Sequence, residues 1–169
     1  DIVCLQEDND TWRKAEVFYD SLYAYNEIAR LNETGMINRL SIHTRFPILR
    51  TERIDYPSSA NGSVAWFLQV GGDTLLVINN HLESTHLTKE ERDDYHQIVR
   101  GNIQSDTART LSRHLLTVFA ESSAKRAPQA EAVNRYIAEH RHYSILVCGD
   151  FNDHPLSYAR RTIGDGLTE

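Results

Sequence analysis

Three short apolar runs in this chain end in side chains that could do chemistry. Ile2-Val3-Cys4-Leu5 runs into Gln6-Glu7, Leu75-Leu76-Val77-Ile78 into Asn79-Asn80-His81, and Ile145-Leu146-Val147-Cys148 into Gly149-Asp150-Phe151-Asn152. A buried strand that ends in polar groups delivers them to the rim of a sheet, where catalytic groups of layered α/β proteins tend to sit. If the three ends meet, they bring together two carboxylates, an imidazole and several amides, with no Ser or Cys nucleophile in the set. Hard oxygen donors suit Mg²⁺ or Mn²⁺ rather than a zinc cage. An imidazole beside such an ion can stabilise charge growing on phosphate oxygens, and a carboxylate can orient or activate a water. The set therefore fits metal-assisted phosphoester hydrolysis. Each residue also has a plain structural reading: Glu7 as a cap or surface residue, His81 as a satisfied rim histidine, and Asp150 and Asn152 as turn formers.

The elements that must position these groups follow from pattern. Residues 2–5 and 145–148 read as buried strands. Asp10 can cap a helix with apolar positions Trp12, Ala15, Phe18 and Leu22, after which Tyr23-Ala24-Tyr25 fits a helix end or a strand. Glu33-Thr34-Gly35 reads as a turn. Residues 40–44 alternate apolar and polar, as a half-buried strand does. Residues 57–62 have loop chemistry. Residues 64–70 and 74–79 form a hairpin around Gly71-Gly72-Asp73, its second strand apolar enough to be buried on both faces. The charged segment 88–106 reads as a solvated helix face or loop. A helix carrying Leu111, Leu115, Val118 and Phe119 follows, and Pro128 suits the first position of a second helix with Val133, Tyr136 and Ile137. His140-Arg141-His142 reads as the cationic end of that helix. Helices mixed with a hairpin point to an α+β or layered α/β sandwich rather than a simple βαβ sheet.

The chain of 169 residues is long enough for one domain with a real core. No run approaches transmembrane length. Net charge is −6, which disfavours a protein that coats nucleic acid non-specifically but leaves room for a nuclease. Cys4 and Cys148 lie in apolar strand runs and read as small buried hydrophobes rather than a disulfide. The chain opens inside a strand without Met and closes without a stop-like tail, and so reads as an excerpt of a longer protein. Its localisation is open.

Asp1-Ile2-Val3-Cys4-Leu5-Gln6-Glu7, Asn79-Asn80-His81-Leu82-Glu83-Ser84 and Gly149-Asp150-Phe151-Asn152-Asp153 occur in that order. They resemble three signatures of the endonuclease/exonuclease/phosphatase superfamily. Arg45-Phe46-Pro47-Ile48, and the pair Arg126 and Gln129, resemble weaker ones. The resemblance implies a four-layer α/β/β/α sandwich with the site at the top edge between two sheets. It implies Glu7 as a Mg²⁺ ligand, Asp150 as the group that positions or activates water, and Asn152 as its helper. It implies His81 at the scissile phosphate, Asn79 and Asn80 as substrate-binding amides, and in-line attack of water without a covalent intermediate. The family often has Thr at the place of Asn80. Its first-strand Asn and closing Ser-Asp-His are not in this chain, and His154 does not take the closing position. Residues 1–169 are accordingly expected to be one domain truncated at both ends, weak or inactive in isolation.

The leading expectation is a Mg²⁺-dependent phosphodiesterase or phosphomonoesterase, with Mn²⁺ as a substitute ion. The alternative is a catalytically silent binding or scaffold domain of the same fold. Substrate classes open to the first reading are nucleic acid, an inositol phosphate or a phospholipid head group, with Arg39 or Arg45 as candidate phosphate contacts and residues 85–125 shaping access. Exposed sheet edges would favour self-association.

Overall fold

The computed structural model describes residues 1–8, 13–31, 38–58, 60–101 and 105–168. In chain order these form β1 (Ile2–Gln6), α1 (Arg13–Leu22), β2 (Tyr25–Arg30), β3 (Arg39–Thr44), β4 (Ile48–Ile54), β5 (Gly62–Val70), β6 (Asp73–His81), α2 (Lys89–Val99), α3 (Ser105–Glu139), β7 (Ser144–Asp150) and α4 (Tyr158–Gly164). The cap expected at Asp10, the apolar position Trp12 and the turn at Glu33-Thr34-Gly35 lie outside the described residues.

Two sheets result. One is antiparallel with strand order β1-β3-β2; the other has the order β4-β5-β6-β7. The β5–β6 hairpin closes over Gly71-Gly72, with Gly71 at φ 62°, a conformation glycine adopts without steric cost. β6 and β7 are parallel, joined by the long crossover through α2 and α3, so their C-terminal ends emerge at one rim.

The sheets pack face to face. Leu40 and Ile42 of β3 meet Val64, Trp66 and Leu68 of β5 and Val77 of β6, all buried. The opposite face of the larger sheet carries Ala65, Phe67, Leu76 and Ile78 against Ala130, Val133 and Ile137 of α3 and Ile163 of α4. Each fully buried Leu, Ile or Val stabilises by about 1.5–3 kcal/mol, so these two layers fix how the sheets and helices sit. α1 covers the outer face of the smaller sheet, where Tyr19 stacks on His43 with ring centroids 4.9 Å apart. The layers are thus α/β/β/α, the sandwich expected.

Several expectations are corrected. β3 is buried along its whole length rather than half-buried: it is the central strand, and Ser41 and His43 on its outer face lie beneath α1. α1 packs through Tyr19, with Tyr23 just past its end, leaving Phe18 and Leu22 exposed at 58% and 49%. α3 is one helix of 35 residues, with Pro128 inside it rather than opening a second helix. Pro128 is exposed, so the Ala124 carbonyl that loses its helical partner faces solvent, while Arg126, Gln129, Ala130 and Val133 hold the buried side. His140 follows the end of α3 and places Nδ1 2.8 Å from the Tyr136 carbonyl. β2, β4 and α4 are additional elements. α2 has no buried residue, as a solvated helix should, and Thr88 and Glu91 close a capping box at its start. Among the described residues no helix is long and apolar enough to cross a membrane.

Candidate active site

The rim of the sandwich at the C-terminal ends of β1, β6 and β7 gathers the three polar strand ends. β1 terminates because Glu7 adopts φ 54°, a left-handed conformation uncommon for a non-glycine residue. The kink turns the chain out of the sheet and leaves the Glu7 carboxylate exposed, with Oε1 3.7 Å from His81 Nε2. His81 itself is only 3% exposed, so its ring is held between the sheets with one edge at the rim.

Asn79 fixes this approach. Its Nδ2 donates to the Leu5 carbonyl at 3.0 Å, and its Oδ1 accepts from Gln6 Nε2 at 2.7 Å. One buried amide thus spans from β6 to β1 and sets Glu7 relative to His81. Asn80 points the other way. It is fully buried and its Nδ2 donates to the Cys148 carbonyl at 2.9 Å, across the β6–β7 pairing.

Asp150 lies opposite His81 in the parallel register, and the Leu82 amide donates to the Asp150 carbonyl at 2.9 Å. The chain then turns. Asp150 Oδ1 accepts the Asn152 N–H at 2.8 Å, and Asn152 takes φ 51°. Asn152 Nδ2 donates to the Leu82 carbonyl at 2.9 Å, which Asn61 Nδ2 also reaches at 3.0 Å. The Asp150 carboxylate remains exposed at the rim.

A second tier holds the two loops beyond His81 and Asp150. Arg126, 2% exposed, donates Nε to Asp153 Oδ2 at 2.9 Å and Nη1 to the Glu83 carbonyl at 3.0 Å. Gln129 Oε1 accepts the Glu83 N–H at 2.9 Å. Arg126 therefore joins the loop after β6 to the loop after β7, and Gln129 ties the first of them to α3. Glu83 also faces Lys125 and His86 at 3.6 and 3.7 Å.

The structure thus brings Glu7, His81, Asp150, Asn152 and Asn79 to one rim and sends the Asn80 side chain to the other face of its strand. Neither candidate arginine reaches this rim freely. Arg39 is buried, its Nε donating to the Asp8 carbonyl. Arg45 pairs with Asp1 at 3.4 Å, at the opposite end of β1 from Glu7. Asn38, Asn61 and Asp153 are participants to which the sequence pattern assigned no role. Asn38 Nδ2 lies 3.1 Å from His81 Nδ1, a contact between residues 43 apart that no local spacing signals.

Cys4 and Cys148 are free and half-buried. They face each other across the two sheets: the Cys4 thiol hydrogen-bonds to Cys148, which pushes the Cys4 pKa up, as burial also does, and draws that of Cys148 down.

Among the described residues no three His, Cys, Asp or Glu side chains form a metal cage. That donor set fits Mg²⁺, which keeps several waters and takes one or two carboxylates plus substrate phosphate oxygens rather than an all-protein cage. The exposed Glu7 carboxylate is a suitable hard ligand; the Cys pair is sequestered in the strands below.

A four-layer sandwich with an acid, an imidazole and a second acid at the rim between its sheets defines a class of layered α/β proteins. The sequence profile of the Endonuclease/Exonuclease/phosphatase family matches residues 1–167, and the chain belongs to that family. No curated protein matches the sequence. Among solved structures, sphingomyelinase C from Streptomyces griseocarneus is similar with TM-score 0.65 and 17% identity, over 98% of this chain and 56% of that one. The human nocturnin catalytic domain with bound sulfate anion gives TM-score 0.60 and 14% identity, over 98% and 56%. A mutant beta toxin from Staphylococcus aureus with bound magnesium ions gives 0.64 and 14%, over 99% and 57%. The chain spans little more than half the length of these structures.

Proposed function

We propose that the protein is a Mg²⁺-dependent phosphoester hydrolase in which water attacks phosphorus in line. The observation that carries this reading is the meeting of three strand ends: the Glu7 carboxylate 3.7 Å from His81 Nε2, with Asp150 opposite His81 in register. Glu7 would hold the divalent ion, whose chemistry is to neutralise charge on the phosphate oxygens. His81 would contact the scissile phosphate and stabilise its developing charge. Asp150 would orient or activate the water, its position set by the Asn152 turn. Asn152 would help orient that water or the phosphate once its amide turns from Leu82 to the ligand. Asn79 would hold the Glu7–His81 spacing, and Asn80 would brace the β6–β7 ladder rather than donate to phosphate.

Family membership and the magnesium ions bound to the beta toxin neighbour support the ion, and the nocturnin neighbour carries a bound sulfate anion. The sphingomyelinase C neighbour supports a phospholipid head group as one substrate class beside nucleic acid and inositol phosphate. The net charge of −6 weighs towards a small phosphoester over an extended nucleic-acid footprint.

The experiment is a substrate panel on the full-length protein: single-stranded nucleic acid, an inositol polyphosphate, and sphingomyelin vesicles, each with Mg²⁺, Mn²⁺ or EDTA. Turnover of one class with Mg²⁺ supports the reading and names the substrate. Binding without turnover in every arm supports a silent domain of the same fold instead.

A further inference from the structure

We propose that Asn38 is a positioning residue that holds His81 in the tautomer protonated on Nε2. Asn38 ends its side chain between two partners. One is the Ala60 carbonyl oxygen, which can only accept; the Asn38 atom 2.8 Å from it is therefore the amide nitrogen, Nδ2. The same Nδ2 lies 3.1 Å from His81 Nδ1. An amide nitrogen carries two hydrogens, one for each acceptor. His81 Nδ1 then supplies a lone pair, and the proton of the neutral ring resides on Nε2.

The competing contact is weaker. Asn38 Oδ1 lies 3.4 Å from His81 Nδ1, well beyond the ~2.9–3.0 Å usual for N–H···O. Turning the amide over to favour that contact would set Oδ1 against the Ala60 carbonyl, acceptor facing acceptor. Asn38 is also fixed at its backbone, where its carbonyl accepts the Leu31 N–H at 2.9 Å.

The consequence is a division of labour at the rim. His81 Nε2, 3.7 Å from Glu7 Oε1, presents an N–H and no lone pair. It can donate to a phosphate oxygen but cannot ligate a metal, so the ion falls to the Glu7 side. The tautomer stands on geometry alone; the donor role toward phosphate rests on the hydrolase reading above.

The test is NMR of the ¹⁵N-labelled protein at a pH where His81 is neutral, with His81→Gln assigning the ring signals. The wild type is expected to carry its ring proton on Nε2 and to show a ¹⁵N–¹⁵N coupling through the hydrogen bond from Asn38 Nδ2 to His81 Nδ1. Asn38→Asp, which offers only acceptors, is expected to move the proton to Nδ1, and Asn38→Ala to leave a mixture. A wild-type ring protonated on Nδ1, absence of the coupling, or a folded Asn38→Asp variant with an unchanged tautomer would overturn the proposal. The coupling requires no Asn38 variant and decides the matter even if both Asn38 substitutions prevent folding. Full turnover in His81→Gln beside an observed coupling would sink the catalytic role of His81 and leave the tautomer assignment standing.

Discussion

Gly149 lies opposite Asn80 in the parallel β6–β7 pairing, and the space a Cβ would need there is occupied by the Asn80 backbone. A Cβ on Gly149 would fall 2.1 Å from the Asn80 carbonyl oxygen, and Gly149 sits at φ 134°. The close approach is what places Asp150 beside His81. Gly149→Ala is expected to destabilise the fold by about 3 kcal/mol or more, combining backbone strain with overpacking. Chemical denaturation measures this; an unchanged midpoint would mean that the strands separate at no cost.

The Arg126 clamp makes a second expectation. The Asp153 side chain is 15% exposed and its ion-pair partner, the Arg126 guanidinium, is 3% exposed. Arg126→Met strips a mostly buried carboxylate and the Glu83 carbonyl of a donor, at a cost of about 3 kcal/mol. Adding Asp153→Asn should recover part of that loss. A double variant less stable than the single one would show that the guanidinium is not what holds the two loops.

Acid should loosen α2. The Glu91 carboxylate accepts the Thr88 backbone N–H, which holds its pKa below the usual carboxylate range, with the His114 imidazole on α3 adding to the effect. A pKa lower in the folded state stabilises above the unfolded-state value, and that contribution is lost as pH falls through the folded one. Hydrogen exchange of α2 amides should therefore speed up as pH falls below the carboxylate range, after correction for intrinsic exchange. Glu91→Gln retains an acceptor without the titration and should show no such transition. A wild type that matches the variant at every pH would contradict this.

The two thiols should react in a fixed order. Cys148 is the member whose thiolate is favoured, because Cys4 hydrogen-bonds to it. Slow alkylation with peptide mapping is expected to modify Cys148 before Cys4, and Cys4→Ala should remove that advantage. Modification of Cys4 first would invert the assigned donor and acceptor.

The parts of the fold legible in the sequence are those with strong local pattern. The run Leu75-Leu76-Val77-Ile78 announces a strand buried on both faces, and β6 occupies that place between β5 and β7. The polar strand ends announce a rim, and Glu7, His81 and Asp150 meet there. Weak local pattern hid the rest. β4 carries charges in mid-strand, with Arg50 over the Phe67 ring and paired to Glu52, and edge strand β2 leaves even Ile28 39% exposed. Pro128 reads as a helix start because its local preference is strong, yet an exposed position and anchored neighbours let α3 pass through it. The roles of Asn38 and Asn61 depend on partners 43 and 21 residues away, which only the packed structure brings near.

Glu7, His81 and Asp150 are proposed to form one metal-dependent phosphoester site. The most direct measurement is initial-rate hydrolysis of an activated phosphodiester by the full-length protein, with EDTA and Mg²⁺ add-back. Removing a group that orients or activates the water is expected to lower kcat by about 10³-fold in Asp150→Asn. Glu7→Gln should raise the Mg²⁺ requirement, and Asn134→Ala, distant on the α3–α4 contact, should leave the rate unchanged. Turnover that survives EDTA, or an Asp150→Asn variant as fast as the wild type, would contradict the account.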